Sequence, residues 1–243
     1  MDEAVKFMAD NQDRIDETDS TGWTALHWAS SRGREDMVKY LLENKASVSI
    51  VNDDQWAPVH DAARKGSENV LRLLTEHGAD LHCKTNTGNT TLHFAAQYDR
   101  SEVVTFLLRQ EETDKDLANT AGHTAVHVAA RYGKENVVKI LIEQKANVLL
   151  SDKIGRSPEQ LATEFGHNVV ADLLKEEATQ QIAAQINNAE IAMKEGAEAV
   201  QFGELQKAVD QFDLAAWLFN LAGATERTKD AKDQAISVRA QLK

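Results

Sequence analysis

Asn119 to Gly133 reads N-T-A-G-H-T-A-V-H-V-A-A-R-Y-G, and the other segments of the chain become legible when laid over it. Its anchor is His127. The same frame returns as T-A-L-H-W-A-S around His27, A-P-V-H-D-A-A around His60 and T-T-L-H-F-A-A around His93, the histidines standing 33, 33 and 34 residues apart. One further step of 33 residues reaches S-P-E-Q-L-A, where Gln160 takes the place of histidine. Self-similarity at such a period marks a stacked array, because each unit is too small to bury a core alone and must lean on its neighbours.

A second motif recurs between the histidines: R-E-D-M-V-K-Y-L-L from Arg34, S-E-N-V-L-R-L-L from Ser67, S-E-V-V-T-F-L-L from Ser101 and K-E-N-V-V-K-I-L-I from Lys134. Together the two motifs resemble the ankyrin repeat. The resemblance implies an all-α-dominated repeat solenoid over residues 19–177, in units 19–51, 52–84, 85–118, 119–151 and 152–177, the last degenerate with Glu159 where Leu is usual. Each unit reads as a turn, a short helix, a second helix and a hairpin loop. The family also implies that His27, His60, His93 and His127 hydrogen-bond backbone between repeats, with Gln160 as an imitation.

The residues support this element by element. Paired alanines (Ala62-Ala63, Ala95-Ala96, Ala129-Ala130) let first helices approach closely, and Leu26, Val59, Leu92 and Val126 fill the layer between units. The doublets Leu41-Leu42, Leu73-Leu74, Leu107-Leu108 and Leu141-Ile142 supply the apolar face of each second helix. Pro58 and Pro158 stand where the chain enters a first helix and a missing N–H costs nothing. Gly33, Gly66 and Gly133 sit between the two helices, where positive φ is expected; the third unit has Asp99 there, at some cost.

Outside the repeats the signals are shorter. Residues 1–18 read as a partial N-terminal capping helix, with Val5, Phe7, Met8 and Ile15 near helical spacing. It is either a minimal cap or the start of a stretch inside a longer array. Between Arg109 and Asn119 an acidic loop holds one extra residue, read as solvated. From Gly166 to Gly196 there is neither Gly nor Pro in between, and Val170, Leu173, Leu174, Ile182, Ile186, Ala189 and Met193 keep a helical beat. This predicts that the last repeat helix continues to about Gln201, with only Asn187-Asn188 against it. Residues 178–243 form a short antiparallel three-helix extension. Gly196, Gly203, Ala208, Phe212 and Ala215 resemble the packing positions of one tetratricopeptide unit, and Ala231, Ala235, Val238 and Leu242 mark one side of a third helix. In shape it also resembles, less closely, a microtubule-interacting and trafficking domain. Its roles are a cap on the open end of the stack or a second partner site.

Composition narrows the function. The chain has 243 residues, 42% of them hydrophobic, and a net charge of −12, which argues against nucleic acid because phosphate binding needs a basic face. No run approaches the roughly 18 apolar residues of a membrane span. One cysteine, Cys83, cannot form an internal disulfide, which fits a cytoplasmic setting and leaves a nuclear one open. No phosphate loop, G-x-S-x-G elbow or H-E-x-x-H occurs, so no enzyme and no cofactor are expected. The repeated histidines cannot share a metal, since stacked units stand roughly 10 Å apart and zinc needs bonds of about 2 Å.

What the ankyrin resemblance implies is a non-catalytic adaptor or scaffold that holds a protein or peptide on the concave face, through hairpin tips and first-helix ends. Mapped onto this sequence, those positions single out Trp23, Arg32, Trp56, Arg64, Lys65, Asn89, Tyr98, His123, Arg131 and Tyr132. Aromatic and arginine residues most often carry interface energy, and the basic stripe on an acidic chain points to a partner with an acidic segment. Trp28 is expected in the core. The alternatives are a tail serving oligomerisation or trafficking partners, and a regulatory subunit that inhibits an enzyme by occlusion.

Overall fold

The computed structural model describes residues 14–110 and 112–242, and among them the chain is α-helical with twelve helices and no strand. The N-terminal capping helix expected over residues 1–18 lies mostly outside the described residues; Ile15, within them, is buried. The chain divides into two units, Met1–Leu174 and Lys175–Lys243.

The first unit is built of helix pairs. These are α1 (Ala25–Arg32) with α2 (Glu35–Glu43), α3 (Pro58–Lys65) with α4 (Glu68–Glu76), α5 (Thr91–Gln97) with α6 (Ser101–Leu108), and α7 (Ala125–Arg131) with α8 (Glu135–Glu143). A fifth first helix, α9 (Pro158–Glu164), is followed by α10, which runs unbroken over Asn168–Gln201 and so through Asn187-Asn188. Both prolines open their helices. The alanine pairs of α3, α5 and α7 are fully buried, as are Val59 and Val126 between units.

The histidine completes the start of each first helix. Its Nδ1 accepts the backbone N–H three residues earlier, at 3.2 Å from Thr24 to His27, 3.0 Å from Ala57 to His60, and 3.2 Å from Thr90 to His93 and from Thr124 to His127. This is the side chain-to-backbone half of a capping box, and Gln160 reproduces it with Oε1 at 2.9 Å from Ser157 N. Because Nδ1 accepts, Nε2 carries the proton and faces the next repeat. It donates to Trp56 O from His27 (3.0 Å), to Cys83 O from His60 (3.0 Å) and to His123 O from His93 (2.9 Å). Asn89 O, the acceptor equivalent to Trp56 O and His123 O, takes Thr85 N and the Thr85 hydroxyl instead of His60. His127 departs from the expected pattern: its ring lies toward the backbone of Arg156 and Leu150, and its buried Nε2 makes no hydrogen bond of good geometry there. Burial lowers His60, His93 and His127 to about 4, so all three rings are neutral near pH 7.

Two of the turns between paired helices are closed from the next repeat. Gly33, Gly66, Gly133 and Gly166 have φ of +67°, +89°, +63° and +77°, and Asp99 takes the same left-handed conformation at +58°. Arg100 Nε donates to Arg64 O at the end of α3 (2.9 Å), and His167 Nε2 bonds Arg131 O at the end of α7 (3.1 Å). In both cases a helix terminus left with orphan carbonyls is satisfied by its successor. The hairpin loops are tied likewise: Asp16 Oδ1 accepts Ser47 N and Asp116 Oδ1 accepts Asn147 N, each at 2.8 Å. The acidic loop read as solvated thus carries one anchoring carboxylate.

The second unit contains the later part of α10 with α11 (Leu205–Leu221) and α12 (Thr225–Gln241). Its core is made of small residues against two phenylalanines. Ala189 and Ala192 pack with Ala215, Ala216, Phe219 and Ala231, and Ala199 packs with Ala208, Val209, Phe212, Ala235 and Val238. Gly196 is required by close approach, since a Cβ there would stand 2.8 Å from Phe212 Cε1. Arg227 pairs with Glu190 and Arg239 with Asp213, linking α12 to each of its neighbours.

Candidate protein-binding face

The last residue before each left-handed turn occupies one register of the first unit: Arg32, Lys65, Tyr98, Tyr132 and Phe165. All five are exposed, the aromatic members at 40%, 42% and 45%. Nothing in the core demands a ring there, because the helix has ended and the side chain projects from the terminus. Along the array the register changes character, basic in the first two repeats and aromatic in the next three. Arg131, one residue earlier, places its guanidinium 5.9 Å from the Tyr132 ring centre and 5.1 Å from that of Phe165. Such cation–π packing orients the charge without neutralising it. Glu164 beside it is engaged by Arg156 at 2.9 Å. Among the described residues no carboxylate stands at ion-pair distance from Arg32, Lys65 or Arg131.

The hairpin tips lie in a second row. Trp23 and Trp56 are half-buried; Trp23 packs tilted against Trp28 at 4.7 Å and Trp56 against Phe94 at 4.2 Å. Trp28, expected in the core, is 38% exposed. Its indole N–H donates to Asp19 Oδ2 (3.1 Å) and Arg32 lies over its ring at 4.7 Å, which holds it at the surface between tip and helix. Asn89 and His123 have their polar groups engaged inside the array. Asn89 accepts from Asn119 at 2.7 Å and donates to Thr87 at 3.0 Å, while the buried His123 ring faces Asp152 at 3.3 Å. Burial lowers the His123 pKa, against the opposing pull of Asp152.

Arg64 has a different neighbour, the fully buried Asp61 on the same helix. Arg64 Nη2 lies 3.4 Å from Asp61 Oδ1, and Oδ2 has no partner. Burial pushes the carboxyl up to about 7, against the opposing effect of Arg64. The aligned positions of the other repeats hold Trp28, Phe94, Val128 and Leu161, so the carboxyl stands in an apolar register. Cys83 is half-buried, and burial pushes its thiol up to about 11, the opposite of what a nucleophile needs. Among the described residues no group of three or more His, Cys, Asp and Glu side chains could hold a metal ion, and no helix is long and apolar enough to cross a membrane.

Of the ten residues singled out from the sequence, the structure puts Arg32, Lys65, Tyr98 and Tyr132 in one exposed row with Arg131 beside it. Trp23, Trp56 and Arg64 flank it, and Asn89 and His123 serve the array. Phe165 was missed. Its signal was available, because it lies 33 residues beyond Tyr132 in the same register, but the degenerate fifth repeat obscured it.

Capped helix pairs stacked in register define a helical repeat protein. The family model described as Ankyrin repeats (3 copies) matches residues 1–85, 45–119 and 92–188, and the chain belongs to the ankyrin-repeat family. Ankyrin repeats are generally protein–protein interaction modules and are typically non-catalytic. No curated protein matches the chain.

Proposed function

We propose that the chain is an adaptor or scaffold whose first-helix row holds a protein or peptide with an acidic segment. The observation that carries this is the row of exposed side chains with Arg131 set among its rings, on a chain of net charge −12. Solvent-exposed aromatics and arginines at one register are the groups that dominate interface energetics. Unpaired cations on an acidic background orient an acidic partner and repel a basic one. Trp23, Trp56 and Arg64 are read as the flank of the same surface. A cytoplasmic setting accords with a single cysteine that has no partner for an internal disulfide. The test is a pull-down from cell extract with wild type and the double variant Lys65→Glu/Arg131→Glu. Specific bands are lost in the variant while its unfolding midpoint stays put. Bands that persist in a folded variant would remove this face from consideration.

A second reading concerns the tail, which we read as tetratricopeptide-like. On α11, Leu214, Trp217 and Leu221 follow at helical spacing and are 44%, 59% and 50% exposed. A stripe of that kind suits self-association or a second partner. Sedimentation of wild type against Trp217→Ser decides whether copies of the chain meet there.

A further inference from the structure

The exposed row repeats at the spacing of stacked helices, roughly 10 Å, and that pitch restricts what can lie along it. A polyproline II chain rises about 3.1 Å per residue with three residues per turn, and a strand rises about 3.3 Å. Three residues of extended chain therefore advance about 9–10 Å, one repeat of the array. A helix advances about 10 Å in roughly seven residues, and would set two side chains toward the face in each interval. The row offers one side chain per interval, so the second would have no counterpart in it. Next to the row, Gly33 is covered by the Lys65 stem, Gly66 by Arg100 and Gly133 by the His167 ring, each supplied by the following repeat.

We propose that this face takes an extended peptide segment of roughly thirteen residues, which turns every third side chain toward one repeat. Carboxylates of the peptide sit over Arg32 and Lys65, and apolar or aromatic side chains sit over Tyr98, Tyr132 and Phe165. Arg131 adds a cation within the aromatic part, so one further acid falls beside an apolar residue there. The assignment rests on the reading of this row as the partner-binding face. Charge complementarity selects the acidic half, and the rings select the apolar half.

The test is selection of a random sixteen-residue peptide library on the full chain, followed by affinity measurements with synthetic consensus peptides on wild type, Lys65→Glu and Tyr132→Ser. The expected result is a consensus with two acids three residues apart and apolar residues continuing at the same interval. Its affinity should fall at least tenfold on each variant. Peptides that lose affinity on the variants, yet show i, i+3, i+4, i+7 spacing and gain helical dichroism on binding, overturn the extended register and leave the face standing. Peptides indifferent to both variants, or a library with no enrichment, overturn the face and the proposal with it.

Discussion

Alanine in place of Gly133 should destabilise the repeat unit more than alanine in place of Gly166, although the two glycines occupy the same turn. Both are left-handed, with φ of +63° and +77°, so a Cβ at either site incurs about 1–2 kcal/mol of backbone strain. They differ in what the methyl group meets. At Gly133 it would stand 2.5 Å from His167 Nδ1 and 2.7 Å from Cε1; at Gly166 no heavy atom lies within 4 Å. His167 cannot simply step aside, because its Nε2 satisfies Arg131 O at 3.1 Å. Releasing that bond costs about 1 kcal/mol, and tilting the ring off its rotamer costs about 0.5–1.5 kcal/mol. The expected losses are about 1–2 kcal/mol for Gly166→Ala and about 2.5–4.5 kcal/mol for Gly133→Ala. Gly66→Ala should fall between, since its methyl meets the more pliable Arg100 stem at 2.7 Å, and Gly33→Ala, with Lys65 Cγ at 3.3 Å, should resemble Gly166→Ala. Asp99→Gly should gain about 1 kcal/mol by relieving the same strain. Urea unfolding followed by far-ultraviolet circular dichroism measures the series. Equal losses at positions 133 and 166 would refute the reasoning, because strain alone would then account for both.

Other consequences follow from burial. Acid should weaken the repeat unit: His60, His93 and His127 titrate near 4 in the fold against about 6.5 unfolded, so stability that is complete above pH 6.5 falls by about 3 kcal/mol per histidine as pH drops to 4. Urea midpoints at pH 7 and pH 5 check this, and a flat profile contradicts it. Asp61 has the opposite sign. Its folded pKa is raised to about 7, so its favourable contribution is present below the unfolded value and is lost as pH rises through 7. At pH 8 the ionised carboxylate costs about 4 kcal/mol. Asp61→Asn should therefore stabilise at pH 8 more than at pH 5, and a pH-independent difference would count against a buried neutral acid. In the tail, Gly196→Ala should lose about 1 kcal/mol, because overpacking against Phe212 outweighs the helix-propensity gain. In a Phe212→Leu background the same change should stabilise, and failure of that sign reversal in thermal melts would show that Phe212 is not the obstacle.

The repeat frame is legible in the sequence because burial imposes it. Leu26, Val59, Leu92 and Val126 occupy equivalent sites between units, so any drift in spacing would expose an apolar side chain. The tail is legible for a related reason. Small residues at Ala189, Ala192, Gly196 and Ala199 recur at helical spacing where Phe212 and Phe219 must fit. Individual surface roles are less accessible, since they depend on partners about thirty residues away. Asn89 looks like a free tip amide until Asn119 is seen to reach it. Trp28 shares a register with the buried Phe94 and Val128, and only the Asp19 contact shows why it stays outside. The buried carboxyl of Asp61 shows only in its register, which is apolar in the other four repeats; taken alone, a charged residue in a helix reads as a solvated one.

The closure of two turns by the following repeat has a consequence for how the protein is made. On a ribosome, α3 emerges with Arg64 O unsatisfied and stays so until Arg100 arrives, 36 residues later. Arg131 O waits for His167 over the same length, and the His27 ring waits for Trp56. A nascent repeat is therefore completed from behind. Until those residues emerge, the unit at the leading end of the growing chain lacks these contacts and its helix ends stay open to solvent.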